Sequence, residues 1–247
     1  MGGRDAAGLL QRSSSDTIVD LVMDEQHAIP TKARSVTLAE IEAALRLPLP
    51  GRQAQICMAP VPRPLDPPTP AHRPRQAGVL LLLFAVEEND ELWLVLTRRT
   101  DSVADHKGQI SLPGGAVDPG DSSTAQTALR ETCEEIGICG DSIRMLGSLT
   151  PIYIAPSDFC IEPYVAYLPF KPAFELQRAE VAEVLEVPIS HFMGDVNKAV
   201  EDWLLHDPPM RVPYFDVFGH KVWGATAMVL AEFAAVVSES VTKKPRV

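Results

Sequence analysis

Gly114-Gly115-Ala116-Val117-Asp118-Pro119-Gly120-Asp121, followed by Arg130-Glu131-Thr132-Cys133-Glu134-Glu135-Ile136-Gly137-Ile138, is the stretch on which the reading of this chain turns. Its first half is a glycine turn, and glycine lets the backbone approach a ligand closely. The segment leading into and through its second half, wound at about 100° per residue, lines Ala125, Ala128, Leu129, Thr132 and Ile136 along one side of a helix. Glu131, Glu134 and Glu135 then share the opposite side. Three carboxylates that close repel one another unless cations neutralise them, and hard oxygen ligands suit Mg²⁺ or Mn²⁺ better than Zn²⁺. The competing reading is a solvated acidic face with Arg130 as an ordinary ion-pair partner. The glycine turn upstream tilts the balance toward a metal.

Residues 130–138 resemble the R-E-U-x-E-E-x-G-U half of the Nudix hydrolase motif, with Thr132 a departure at the first bulky position. The other half, a Gly followed by an acid, is matched by Gly115 and Asp121. One extra residue separates Asp121 from Arg130, a longer connection similar to that of the coenzyme A pyrophosphatase subgroup. Upstream, Leu96-Thr97-Arg98-Arg99-Thr100 and residues 108–115 resemble that subgroup's signature, L-L-T-x-R-[SA]-x3-R-x3-G-x3-F-P-G-G. Thr100 and Leu112 depart from it, and Ala104 stands where the signature has its second Arg, a natural partner for phosphate. Asp105-His106-Lys107-Gly108-Gln109 is similar to the subgroup's H-x-G-Q stretch, and residues 151–159 and 180–188 to its downstream segments. The resemblance covers residues 77–227.

It implies a Nudix-type α/β/α sandwich with a mixed sheet and hydrolysis of a pyrophosphate linkage. In the family's terms Gly115, Glu131, Glu134 and Glu135 hold Mg²⁺ or Mn²⁺, and Arg130 orients the glutamates. Glu131 and Glu180 are both candidates for the general base. Arg98 or Arg99 would clamp a substrate phosphate, with His106 and Lys107 as donors beside it. Gln109 and Tyr153 are weaker candidates, and Asp121 reads equally well as a helix-start acid. Three functions follow: cleavage of coenzyme A or its derivatives, cleavage of another nucleoside diphosphate derivative such as ADP-ribose or NADH, or a sensor that binds a nucleotide without cleaving it. The intact acidic cluster ranks the sensor last. A homodimer is expected by family analogy alone.

A chain of 247 residues with 46% apolar content is long enough for one sizeable core with an appendage. A net charge of −11 argues against a general nucleic-acid binder or an anionic-membrane protein. The longest apolar run, residues 79–86, falls far short of the ~20 residues of a spanning helix and reads as a buried strand. The N-terminus has no signal-peptide core, so cytoplasmic residence is the expectation. Cys57, Cys133, Cys139 and Cys160 show no C-x-x-C spacing and read as reduced thiols, Cys133 in a structural role.

The chain divides into an extension (1–76), a catalytic domain (77–240) and a short tail (241–247). Thr37 or Ser35 caps a short helix that Pro48 and Pro50 end. Residues 51–74 carry so many prolines that neither helix nor central strand is expected, leaving a linker or a surface-hugging arm. Residues 79–86 and 92–96 read as a hairpin joined through 87–90, followed by a loop over 100–111 and the acidic helix, capped near Ser122 or Ser123. Residues 143–149, 152–154, 161–168 and 181–187 read as strands, and 225–237 as a helix.

Overall fold

A computed structural model describes residues 35–86, 89–100, 108–140, 142–204 and 209–242. His106 and Lys107, with Ala104 and the hairpin tip at 87–88, lie outside them.

Helix α1 (Leu38–Leu45) starts where expected: the Thr37 hydroxyl accepts the Glu40 N–H, and the Glu40 carboxylate reaches back to the Thr37 N–H, a capping box. The proline-rich segment corrects the expectation. Helix α2 (Arg52–Gln55) and a 3-10 turn (Ile56–Met58) form at its start, ahead of Pro60. Beyond them the chain hugs the surface. Val61 and Arg211 exchange two backbone hydrogen bonds of 2.9 and 2.8 Å, Arg52 pairs with Asp66 at 2.6 Å, and His72 meets Asp158 at 2.6 Å.

The central sheet is built on β1 (Arg75–Val86). It pairs antiparallel with β2 (Asn89–Arg99) and, at its start, with β4 (Gly114–Ala116). Its other edge runs parallel to β7 (Phe159–Leu168), from Arg75 opposite Phe159 to Phe84 opposite Leu168. Strand β3 (Ile110–Ser111) and β8 (Val181–Pro188) join β2, while β5 (Arg144–Ser148) and β6 (Ile152–Ile154) join β7. A strand covered on both faces must be apolar on both, which is why residues 79–86 of β1 read as one run. Leu80, Leu82 and Phe84 pack beneath helix α3 (Thr124–Ile136) with Ala128 and Ile136. Leu81 and Leu83 face the other layer with Ile41, Met58 and helix α4 (Gly224–Thr242). The mixed sheet therefore lies between helices, an α/β/α sandwich.

A second, three-stranded antiparallel sheet, β9 (Lys198–Trp203), β10 (Met210–Val217) and β11 (His220–Trp223), adds elements the sequence reading lacked. Among the described residues no helix is long and apolar enough to cross a membrane.

Candidate active site

Helix α3 begins where the Ser123 hydroxyl accepts the Gln126 N–H and ends at Gly137, whose left-handed backbone (φ 74°) lets its N–H return to the Cys133 carbonyl. Between these caps Arg130 acts as a hub. Its Nε and Nη2 donate to the two oxygens of Asp121 at 3.0 and 2.9 Å, and its Nη1 donates to Glu131 at 2.9 Å and Glu134 at 3.0 Å. Asp121 also accepts from the Thr127 hydroxyl and the Asp118 N–H, and Arg130 holds its carboxyl well below the usual range. Asp121 is thus more than a helix-start acid: it anchors the guanidinium that positions two of the glutamates.

The three glutamates differ in burial. Glu135 lies 4% exposed, beside buried Thr127, Ala128, Thr132 and Ile136, so the acidic side of α3 is not wholly solvated. Glu134 is exposed and Glu131 half-buried. Burial pushes the Glu135 carboxyl up to about 8, opposed chiefly by the Arg99 charge. The Gly114 N–H donates to this carboxylate, yet its Oε2 is buried with no hydrogen-bond partner among the described residues. Glu131 is likewise raised, first by burial and against the pull of Arg130, with Glu134 and Glu180 adding repulsion.

These features fit a hard divalent cation. A buried carboxylate oxygen without a partner is costly, and a cation would compensate it. Gly115 supplies a cradle, since a Cβ there would run into the Glu131 carboxylate. The donors available are oxygens, as Mg²⁺ or Mn²⁺ requires. Among the described residues no three His, Cys, Asp or Glu side chains form a ready cage. Glu131 and Glu134 are instead turned onto Arg130, which supplies the local positive charge.

The adjacent arginines part company. The pairing of β2 with β8 slips between Arg98 and Arg99, a bulge that re-aims the following side chain. Arg98 turns to Glu183 (3.4 Å), which also meets His220 at 3.1 Å. Arg99 lies close enough to act on Glu135, and its Nε is buried without a partner among the described residues. The turn carrying Glu180 is tied to the same strand end, with the Thr100 N–H donating to the Glu180 carbonyl at 2.8 Å. Tyr153 is committed elsewhere, donating to Asp158 at 3.0 Å. The Gln109 carbonyl accepts the Arg99 N–H, a structural contact.

Two features escaped the sequence reading. Gly78, opposite Gly115 in the β1–β4 pair, lies directly beneath α3, where a Cβ would collide with the Thr124 carbonyl. A glycine opposite a glycine was the available signal. Cys133 and Cys139 are joined in a disulfide, correcting the expectation of reduced thiols for that pair, while Cys57 and Cys160 are free. Spacing concealed the bond, because Cys139 comes within reach only after the chain reverses at Gly137.

Residues 74–203 match the family model described as the NUDIX domain. The chain is similar to an uncharacterized Nudix hydrolase NudL of Photorhabdus laumondii, 33% identical over 65% of this chain and 83% of that protein. It is 33% identical to the chloroplastic Nudix hydrolase 22 of Arabidopsis thaliana, over 67% of this chain and 56% of that one. It is 34% identical to the human mitochondrial coenzyme A diphosphatase NUDT8, over 70% of this chain and 74% of that protein.

Proposed function

This chain belongs to the Nudix hydrolase family as a Nudix pyrophosphatase of nucleoside diphosphate derivatives, and from that premise we propose that it hydrolyses coenzyme A or its derivatives. The products are 4′-phosphopantetheine and adenosine 3′,5′-bisphosphate. The observation that carries the reading is Arg99. In the signature-like stretch 96–115 it sets a buried guanidinium Nε, without a partner among the described residues, beside a glutamate whose Oε2 likewise has none among them. A diphosphate needs the first and its metal needs the second. The coenzyme A assignment draws on that stretch and on the named human relative.

Glu131, Glu134, Glu135 and the Gly115 carbonyl are the proposed metal ligands. Bound there, Mg²⁺ or Mn²⁺ supplies charge neutralisation of the diphosphate and lowers the pKa of a water. Asp121 fixes Arg130, and Arg130 keeps Glu131 and Glu134 within reach of one another before substrate arrives. Arg99 binds a phosphate oxygen and holds the diphosphate in line. Glu131, its carboxyl raised by burial, is the proposed acceptor of the water's proton, with Glu180 as the alternative. His106 and Lys107 remain proposed substrate donors outside the described residues. Ala104, in place of the signature's second Arg, favours the second reading, cleavage of another nucleoside diphosphate derivative.

The test is incubation of the protein with coenzyme A and Mg²⁺ or Mn²⁺, products resolved by chromatography. Adenosine 3′,5′-bisphosphate should form with wild type and with neither chelator nor Glu135→Gln. Intact coenzyme A throughout would reject the assignment. The 1–76, 77–240 and 241–247 division, cytoplasmic residence and a homodimer belong to the same proposal. Limited proteolysis of the full chain, cell fractionation and sedimentation check them in turn.

A further inference from the structure

We propose that the Cys133–Cys139 disulfide is a reversible thiol–disulfide switch controlling how firmly the end of α3 holds the active site. Cys133 sits inside the acidic motif, immediately before Glu134 and Glu135, and Cys139 lies two residues beyond the Gly137 cap. The bond therefore encloses the last turn of the helix that carries two of the proposed metal ligands. That turn is also a docking point. An α-helix leaves its last carbonyls without intrahelical partners, and here the Glu135 carbonyl accepts the Gln177 N–H at 2.9 Å and the Ile136 carbonyl the Glu175 N–H at 3.0 Å. The Gln177 carbonyl in turn accepts the N–H groups of Glu180 and Val181 at 2.9 and 2.8 Å. A continuous backbone path thus runs from the bridged turn to Glu180. Gly137 packs so closely on Glu175 that a Cβ there would run into the Glu175 side chain.

The bridge spans only six residues of sequence. Closing so short a loop restricts the unfolded chain less than a long one would, and in the folded chain the bond acts locally, on the helix end. Cys139 is exposed, which gives an exchanging thiol access to one sulfur while Cys133 is half-buried. In the forward step the Cys139 thiolate attacks a low-molecular-weight disulfide and expels one thiol. The Cys133 thiolate then attacks the Cys139 sulfur of that mixed disulfide and expels the second. Two electrons pass to the oxidant, and the two cysteine protons end on the released thiols or in solvent. A dithiol reductant runs the sequence backwards.

The activity readout rests on the pyrophosphatase reading; the structural readout does not. The full chain is poised in glutathione disulfide or in dithiothreitol, without denaturant, and its thiol state is read by alkylation and mass spectrometry. Backbone hydrogen exchange is followed over residues 134–140 and 174–181, alongside substrate cleavage. On reduction, exchange in both segments should quicken, and kcat/KM should fall ~10- to 100-fold, the scale on which ångström-size misplacement acts. Cys133→Ser and Cys139→Ser should match reduced wild type in either buffer. A bond that opens only on denaturation, or exchange that reduction leaves unchanged, would overturn the switch. Faster exchange with no cleavage in either state would support the switch while rejecting the pyrophosphatase function.

Discussion

Glu135 combines burial, a raised carboxyl and an oxygen without a partner among the described residues, and this combination has a measurable cost in the metal-free protein. Below its ordinary value of 4.5 the carboxyl is protonated whether the chain is folded or not. Between 4.5 and about 8 only the folded chain keeps the proton, so stability falls as pH rises through that window. In chelator, the wild-type Tm should drop across the window, and Glu135→Gln should remove that part of the slope and melt higher than wild type at the alkaline end. Equal slopes would mean that Glu135 ionises freely. The arginine pair gives a second residue-scale prediction. Arg99→Ala should lower kcat/KM by ~100-fold, the cost of losing a phosphate clamp that positions the reaction. Arg98→Ala, which breaks a contact to Glu183, should cost far less. Steady-state kinetics on the two variants decides, and the reverse order would move the clamp to Arg98.

At the scale of elements, the fit of α3 onto β1 depends on Gly78, because its missing Cβ makes room for the Thr124 carbonyl. Gly78→Ala should destabilise the fold by ~1–3 kcal/mol through overpacking, read by urea denaturation. An unchanged midpoint would mean that the helix can shift at no cost. Glu232 on α4 is a second element joint. Fully buried, it accepts from the Gln55 side chain at 2.7 Å and from the Thr150 hydroxyl at 2.6 Å, tying α2 and the β5–β6 connection to the long helix. Glu232→Ala should cost ~1–3 kcal/mol through stranded donors, by the same measurement. Elements of this kind were unevenly legible. The β1 run, the α3 cap and the cap of α1 were visible because each follows from local periodicity or a short capping pattern. Strand β10 was hidden by Pro213 at its centre, and β9 alternates so weakly in burial that it gives little signal. The burial of Glu135 was not legible, because a helical wheel orders side chains around an axis and says nothing of what packs against them. The resemblance supplied the roles at the site, and only the fold separated Arg98 from Arg99.

For the whole molecule, residues 35–76 share the core of the central sheet. Ile41, Ala44, Met58 and Ala59 lie in the same core as Leu81, Leu83 and α4, and the arm is pinned at Val61, Asp66 and His72 before it enters β1. A strongly acidic chain, at −11, that takes an anionic diphosphate must offer its cations locally, and the proposed function assigns that task to Arg99 and its neighbours. The central claim is the choice of that substrate. Its most direct measurement compares kcat/KM for coenzyme A, ADP-ribose, NADH and a nucleoside triphosphate with Mg²⁺ or Mn²⁺, using Glu135→Gln as the control. Coenzyme A should be cleaved with the highest kcat/KM, yielding adenosine 3′,5′-bisphosphate, and the variant should cleave none of the four. Intact coenzyme A beside a cleaved member of the panel would contradict the claim.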